Sequence, residues 1–168
     1  MIACLRLLSA LCLAALLAAC ASSPSSSLGE LPRTPDASIE QLLEQATTAK
    51  TPEKAALLRL SAADMAYHQN NPGRSSQILA QVSLDVLKPA AQVFASTLAA
   101  ELAMTRNQPK AALTALNHPS LQSLKELPTE QQIRTGTVHA RAYEADGQTL
   151  AAARERIAIA PLMNGDAA

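Results

Sequence analysis

The side chains in this 168-residue chain that could do chemistry are three histidines, a few close carboxylates, one tyrosine beside a turn, a serine run and three cysteines. His68, His118 and His139 are scattered: one just before a turn, one before Pro119, one mid-helix. No two of them have the spacing of a metal-ligand pair. Glu40 with Glu44, and Glu53 with Lys54, read as solvated helix charges rather than an acid–base pair. Tyr143 precedes Asp146-Gly147 and reads as packing beside a hairpin. Ser25, Ser26 and Ser27 belong to a Ser/Pro-rich stretch, and no Gly-rich phosphate loop occurs. These patterns supply no catalytic residue, no cofactor site and no metal site, so the chain does not read as an enzyme. The remaining chemistry is that of the cysteine thiols.

Cys20 follows directly on Leu17-Ala18-Ala19. Ahead of it lie one basic residue, Arg6, and an uncharged apolar run over residues 7–19. That run is short of the roughly twenty residues a helix needs to cross a bilayer. A basic start, a short apolar stretch and small residues at its end have the proportions of a secretory signal. The motif Leu17-Ala18-Ala19-Cys20 resembles the bacterial lipobox, in which the cysteine is acylated and the chain is cut just before it. On this reading residues 1–19 are a lipoprotein signal peptide, and Cys20 carries the lipid that anchors the chain to a membrane. Cys4 and Cys12 fall in the removed segment, which leaves no thiol for a disulfide or a metal. That suits an oxidising compartment.

Residues 20–37 are then the lipidated cysteine and a linker, ASSPSSSLGELPRTPDA, without apolar periodicity. Such a composition does not bury enough surface to offset its ordering entropy. As a flexible coil, the residues after Cys20 would span roughly 23 Å. Loss of Arg6 leaves 13 basic against 14 acidic side chains. There is no basic patch of the kind that binds nucleic acid.

From Ser38 the pattern is helical. Ser38-Ile39-Glu40-Gln41 is a capping box, and Thr51-Pro52 restarts a helix with an N-cap and a proline at the first helical position. Ala56, Leu60, Ala63 and Tyr67 mark one face of the second helix, and Ala91, Ala95, Leu98 and Leu102 repeat the same offsets in the fourth. A second apolar stripe on the fourth helix, Ala90, Val93, Thr97, Ala100 and Met104, predicts cover on both sides. Pro72, Pro109 and Gly147 punctuate the chain at spacings of 37 and 38 residues, each between a longer and a shorter helix. A bulky residue precedes each turn (Tyr67, Met104, Tyr143) and a small one follows (Ser76, Ala112, Ala152). This period points to an all-α, tetratricopeptide-like solenoid of helical hairpins over residues 38–160, with a tail at 161–168. One helix from Ser38 precedes three hairpins. The alternative is an alanine-rich helical bundle. A seventh helix over 148–159 would leave Leu150 and Ile157 needing cover.

A lipobox, a short polar linker and degenerate Ala/Leu-rich hairpins together resemble the N-terminal region of LpoA-type penicillin-binding protein activators. The stretches LAMTRNQPKAALTALNHPSLQSL (102–124) and ERIAIAPLM (155–163) carry the likeness. The resemblance implies an outer-membrane lipoprotein on the periplasmic face whose partner is a bifunctional penicillin-binding protein, with peptidoglycan as a further candidate. Cys20 is the one residue whose role it transfers. Family members continue into an α/β domain that these 168 residues do not contain. The expectation is therefore a fragment or truncated product that does not stimulate the synthase alone. The competing expectation is a general tetratricopeptide lipoprotein scaffold in envelope complex assembly.

Overall fold

The structure is a computed structural model, and it describes residues 28–33 and 35–165. Among the described residues, seven α-helices and one 3-10 helix follow one another, with no strand. They are α1 (Ile39–Thr47), α2 (Pro52–His68), α3 (Pro72–Leu79), α4 (Pro89–Thr105), α5 (Pro109–Ala115), the 3-10 helix (Pro119–Glu126), α6 (Thr129–Ala145) and α7 (Thr149–Met163). Helix α1 packs on α2, and the pairs α2/α3, α4/α5 and α6/α7 are the three hairpins. The solenoid read from the sequence is the architecture observed.

Each start has a local cause. The capping box at Ser38 is complete: its hydroxyl accepts from the Gln41 amide and the Gln41 side chain accepts from the Ser38 amide. Thr51 accepts from the Lys54 amide, and Asn71 from the Arg74 amide. The three hairpin turns share one geometry. Asn70, Asn107 and Gly147 stand in the left-handed region with φ of 58°, 55° and 79°. In each turn the next amide reaches back five residues: Asn71 to the Ala66 carbonyl, Gln108 to Ala103, Gln148 to Tyr143. This is the Schellman closure, which satisfies helix-end carbonyls and favours Gly or Asn at the left-handed position.

The shared geometry corrects the sequence register. Gly147 is the counterpart of Asn107, not of Pro109, so the true spacings are 37 and 40 residues. The small residue of the first hairpin is Ser75 rather than Ser76: Ser75, Ala112 and Ala152 are buried at equivalent places, whereas Ser76 is half-exposed. Likewise Tyr143 takes the place of Ala103, and Glu144 that of Met104. The three additional residues belong to the segment of the 3-10 helix. There Leu121, Leu124 and Leu127 recur every third residue. A helix with three residues per turn stacks such side chains on one face, and this face packs on Ala90 and Val93.

Helix α4 is buried on both faces, as its two stripes require: Leu98, Val93 and Ala100 are wholly inaccessible. Two boundaries differ from the sequence reading. Helix α7 continues through Pro161 to Met163, past the helix end placed at 159 and the repeat end placed at 160. The amide Pro161 lacks would have faced the carbonyl of Ile157, a residue 73% exposed, where water is available. The described part of the linker is also in contact with the fold. Leu28 and Leu31 pack against Ala90, Val93 and Leu127, and the Leu28 carbonyl accepts from the Ala90 amide at 2.9 Å. Helix α4 has no side-chain cap of its own, so this strap, residues 28–33, caps it. Gly29 makes the path possible. It has φ +94°, and a Cβ there would collide with Lys88.

Candidate functional site

The first helices of the hairpins lie side by side, and the period brings their equivalent positions together. Asp64 on α2 and Glu101 on α4 are such a pair, 37 residues apart. Two carboxylates held close in partly buried surroundings need a shared cation. Arg134 on α6 provides it. Its Nε donates to Glu101 Oε1 at 3.0 Å, and a terminal nitrogen donates to Glu101 Oε2 at 2.6 Å and Asp64 Oδ1 at 2.7 Å. The three side chains are only 13–19% exposed. Burial works to lower the Arg134 pKa, but the hydrogen bonds and attraction of Glu101 and Asp64 outweigh it and raise the value. The guanidinium also lies over the Phe94 ring, 4.8 Å from its centre.

A buried polar cluster joins α4 to α6 beside this clamp. The hydroxyls of Thr97 and Thr135 are 2.9 Å apart, and the Gln131 amide nitrogen donates to both. Thr97 also donates to the Val93 carbonyl. The cluster satisfies itself within an apolar interface, so a shift of one helix along the other would orphan several buried polar atoms.

Above the clamp opens a groove of about 790 Å³. Its walls are the strap, the C-terminal half of α2, the first turns of α4 and α6, and the loop before α6. Phe94, Leu127 and Arg134 line it, with Glu30, Glu126 and Glu130 around them.

The sequence-derived candidates do not converge. Cys20 and the signal peptide lie outside the described residues. His68, at the end of α2, is largely exposed, 3.6 Å from Asp64 and edge-on to Tyr67. His118 caps the 3-10 helix: its Nδ1 accepts from the Ser120 amide and lies 2.7 Å from the Ser120 hydroxyl. His139 stacks on Tyr143 with ring centres 4.5 Å apart and lies 3.4 Å from Glu155. Burial lowers the His139 pKa, and Glu155 opposes the shift without cancelling it. Among the described residues no group of histidine, cysteine, aspartate and glutamate side chains is placed to hold a metal. Tyr143 is partly buried near the end of α6 and stacks on His139 of the same helix. The clamp was missed, although Asp64 and Glu101 each interrupt an apolar stretch and Phe94 is the one phenylalanine of the chain.

These features define a class: an all-helical repeat domain whose described residues hold a charged, partly apolar groove. Residues 32–168 match the family model described as LppC putative lipoprotein, and the chain belongs to that family. Two solved structures share its fold: Haemophilus influenzae LpoA in a monoclinic form with two molecules per asymmetric unit, TM-score 0.56, and full-length LpoA from the same organism in monoclinic form 1, TM-score 0.55. Each is 19% identical, with 78% of this chain and 23% of that chain covered. The chain thus spans about a quarter of the length of the LpoA structures it matches. None of the curated proteins is similar to it at a significant level. The kinship with the N-terminal region of LpoA-type proteins, expected from the sequence, holds.

Proposed function

We propose that this chain is the helical-repeat part of an outer-membrane lipoprotein, held on the periplasmic face by acylated Cys20, that regulates peptidoglycan synthesis by activating a bifunctional penicillin-binding protein. The observation that supports this is the LppC putative lipoprotein match over residues 32–168, downstream of Leu17-Ala18-Ala19-Cys20. Residue 21 is alanine, and the lack of an aspartate after the lipidated cysteine favours outer-membrane sorting. The role is that of an adaptor, not an enzyme. Acyl chains hold such a protein through about 0.8 kcal/mol per buried CH₂. With the strap seated, Leu28 stands at most roughly 28 Å from Cys20 even with the chain between them fully extended. The repeats therefore stay near the membrane, where they bind the wall or orient a partner-binding part. They do not stimulate a distant synthase by themselves.

Mass spectrometry of the mature N-terminus is the first test. An acylated Cys20 is expected, and an unmodified cysteine or cleavage elsewhere overturns the anchor. Cys20→Ser should release the protein from the membrane fraction. The second test is a glycan-polymerisation assay with the purified synthase and this chain. Full stimulation by the chain alone would place the activating surface on these repeats and refute the division of roles.

A further inference from the structure

We infer that the groove between the strap and the first turn of α6 is a docking site for an extended, lysine- or arginine-bearing peptide segment of a partner protein. The strap shows how this surface takes a non-helical segment. Leu28 and Leu31 sit on an apolar floor, and a backbone carbonyl caps the start of α4. Helix α6 begins on the opposite wall in the same condition. Its N-cap is Pro128, with no side-chain cap. The first amides of a helix have no partner within it, so a peptide carbonyl laid along this wall has donors to meet, as the Leu28 carbonyl has on α4. Phe94 and Leu127 line the floor between the two walls but stay only 6% and 5% exposed, so an occupant meets mainly polar groups there. The volume, about 790 Å³, falls within the roughly 300–1,000 Å³ of ligand clefts.

Charge selects the occupant. Four carboxylates line the groove, Glu30, Asp64, Glu126 and Glu130, against two guanidiniums, Arg33 and Arg134. Arg134 is already engaged by both Asp64 and Glu101 in the clamp, which leaves it no charge to spare for the groove. Glu30, Glu126 and Glu130 make no ion pair among the described residues. The whole chain carries 14 basic and 14 acidic side chains, so this excess is local. It repels nucleic acid and anionic headgroups and draws a cationic segment, with electrostatics setting preference and encounter more than raw affinity. A second copy of the chain is a poorer occupant, because its strap would bring another Glu30 against Glu126 and Glu130. None of this depends on the lipid anchor or the synthase.

The test is fluorescence anisotropy of the full chain with two labelled probes, Pro-Leu-Lys and Pro-Leu-Glu each repeated three times, in which proline favours the extended form. The lysine probe should bind saturably and about tenfold more tightly than the glutamate probe at low salt, with the gap closing as salt rises. Glu30→Lys with Glu126→Lys, both exposed positions, should reverse the preference. A control pair, Glu44→Lys with Asp85→Lys, changes the net charge equally on exposed sites outside the groove and should leave the preference intact. Absent or equal binding of the two probes overturns the inference. So does an equal response of the two double variants, which would make the effect one of net charge. Sedimentation showing a dimer that the lysine probe dissociates would assign the groove to a second copy and also overturn it.

Discussion

Arg134→Met removes the one cation that α2, α4 and α6 share while keeping most of the side-chain volume. Two unit charges about 4 Å apart interact by roughly 4 kcal/mol at an effective dielectric near 20, and Arg134 makes two such contacts, at 2.6 Å and 2.7 Å. Most of that gain offsets the desolvation of three groups, so the net worth of the intact clamp is small. Breaking it is different, because Asp64 and Glu101 are left facing each other without a counter-charge. Removing one partner of a buried pair costs about 3–5 kcal/mol. These side chains retain 13–19% exposure, which admits some water and sets the expectation near the lower end, about 3 kcal/mol. In a domain of this size that corresponds to roughly 10 °C in Tm. Adding Asp64→Asn and Glu101→Gln should restore all but about 1 kcal/mol, since no uncompensated charge remains. Urea unfolding followed by circular dichroism measures both. Because the clamp joins three hairpins, the single variant should also unfold with a shallower denaturant slope, as units of a repeat array uncouple. An Arg134→Met protein within about 1 kcal/mol of the parent, or a triple variant no more stable than the single, would refute the charge argument.

Ser75 has a fully buried hydroxyl without a hydrogen-bond partner, at a place where the other hairpins carry Ala112 and Ala152, so Ser75→Ala should stabilise by about 1 kcal/mol in thermal melts. Ala112→Leu, at an inaccessible site, should cost about 1–3 kcal/mol by overpacking. A Cβ on Gly136 would overlap Cγ2 of Ile159, a stiff β-branched side chain. Gly136→Ala should therefore destabilise by about 1 kcal/mol in spite of the better helix propensity, and the loss should vanish in the background of Ile159→Ala. His139 has a lowered pKa in the folded protein, so folding favours its neutral form. Its contribution is complete above the unfolded value near 6.5 and is lost as pH falls from there through the folded value. Urea midpoints should drop over that range, and His139→Phe should flatten the profile.

The helices were legible because their ends are local chemistry. Ser38 and Thr51 are caps with side chains that reach their own first turns, and a cap needs no knowledge of the rest of the fold; the cap at Asn71 was read only as part of a turn. The repeat period was legible for the same reason, but aligning Gly147 with the prolines was a mistake of register. Proline marks the first residue of the second helix in two hairpins. Glycine marks the left-handed residue of the third turn, two positions earlier, where the first two hairpins use asparagine. The extra three residues had their own signal in Leu121, Leu124 and Leu127, whose strict period of three suits a 3-10 turn better than a helix of 3.6.

The groove was not legible, because it depends on which residues meet across repeats rather than on any local pattern. The first spacing, 37, makes Asp64 and Glu101 equivalent positions on neighbouring helices, but the second, corrected to 40, leads from Glu101 to Arg141 on α6, and Arg141 is exposed. The clamp uses Arg134, two turns earlier on that helix. The displacement follows from how α6 is seated. The Gln132 side chain donates to the carbonyls of Lys125 and Leu127, tying the start of α6 to the 3-10 helix, and that helix packs along α4. Thr135 is thereby brought opposite Thr97, and Arg134, its neighbour in sequence, comes opposite Glu101. The segment that broke the regular period is thus what sets the register of the third hairpin and closes the groove on the side of Leu127.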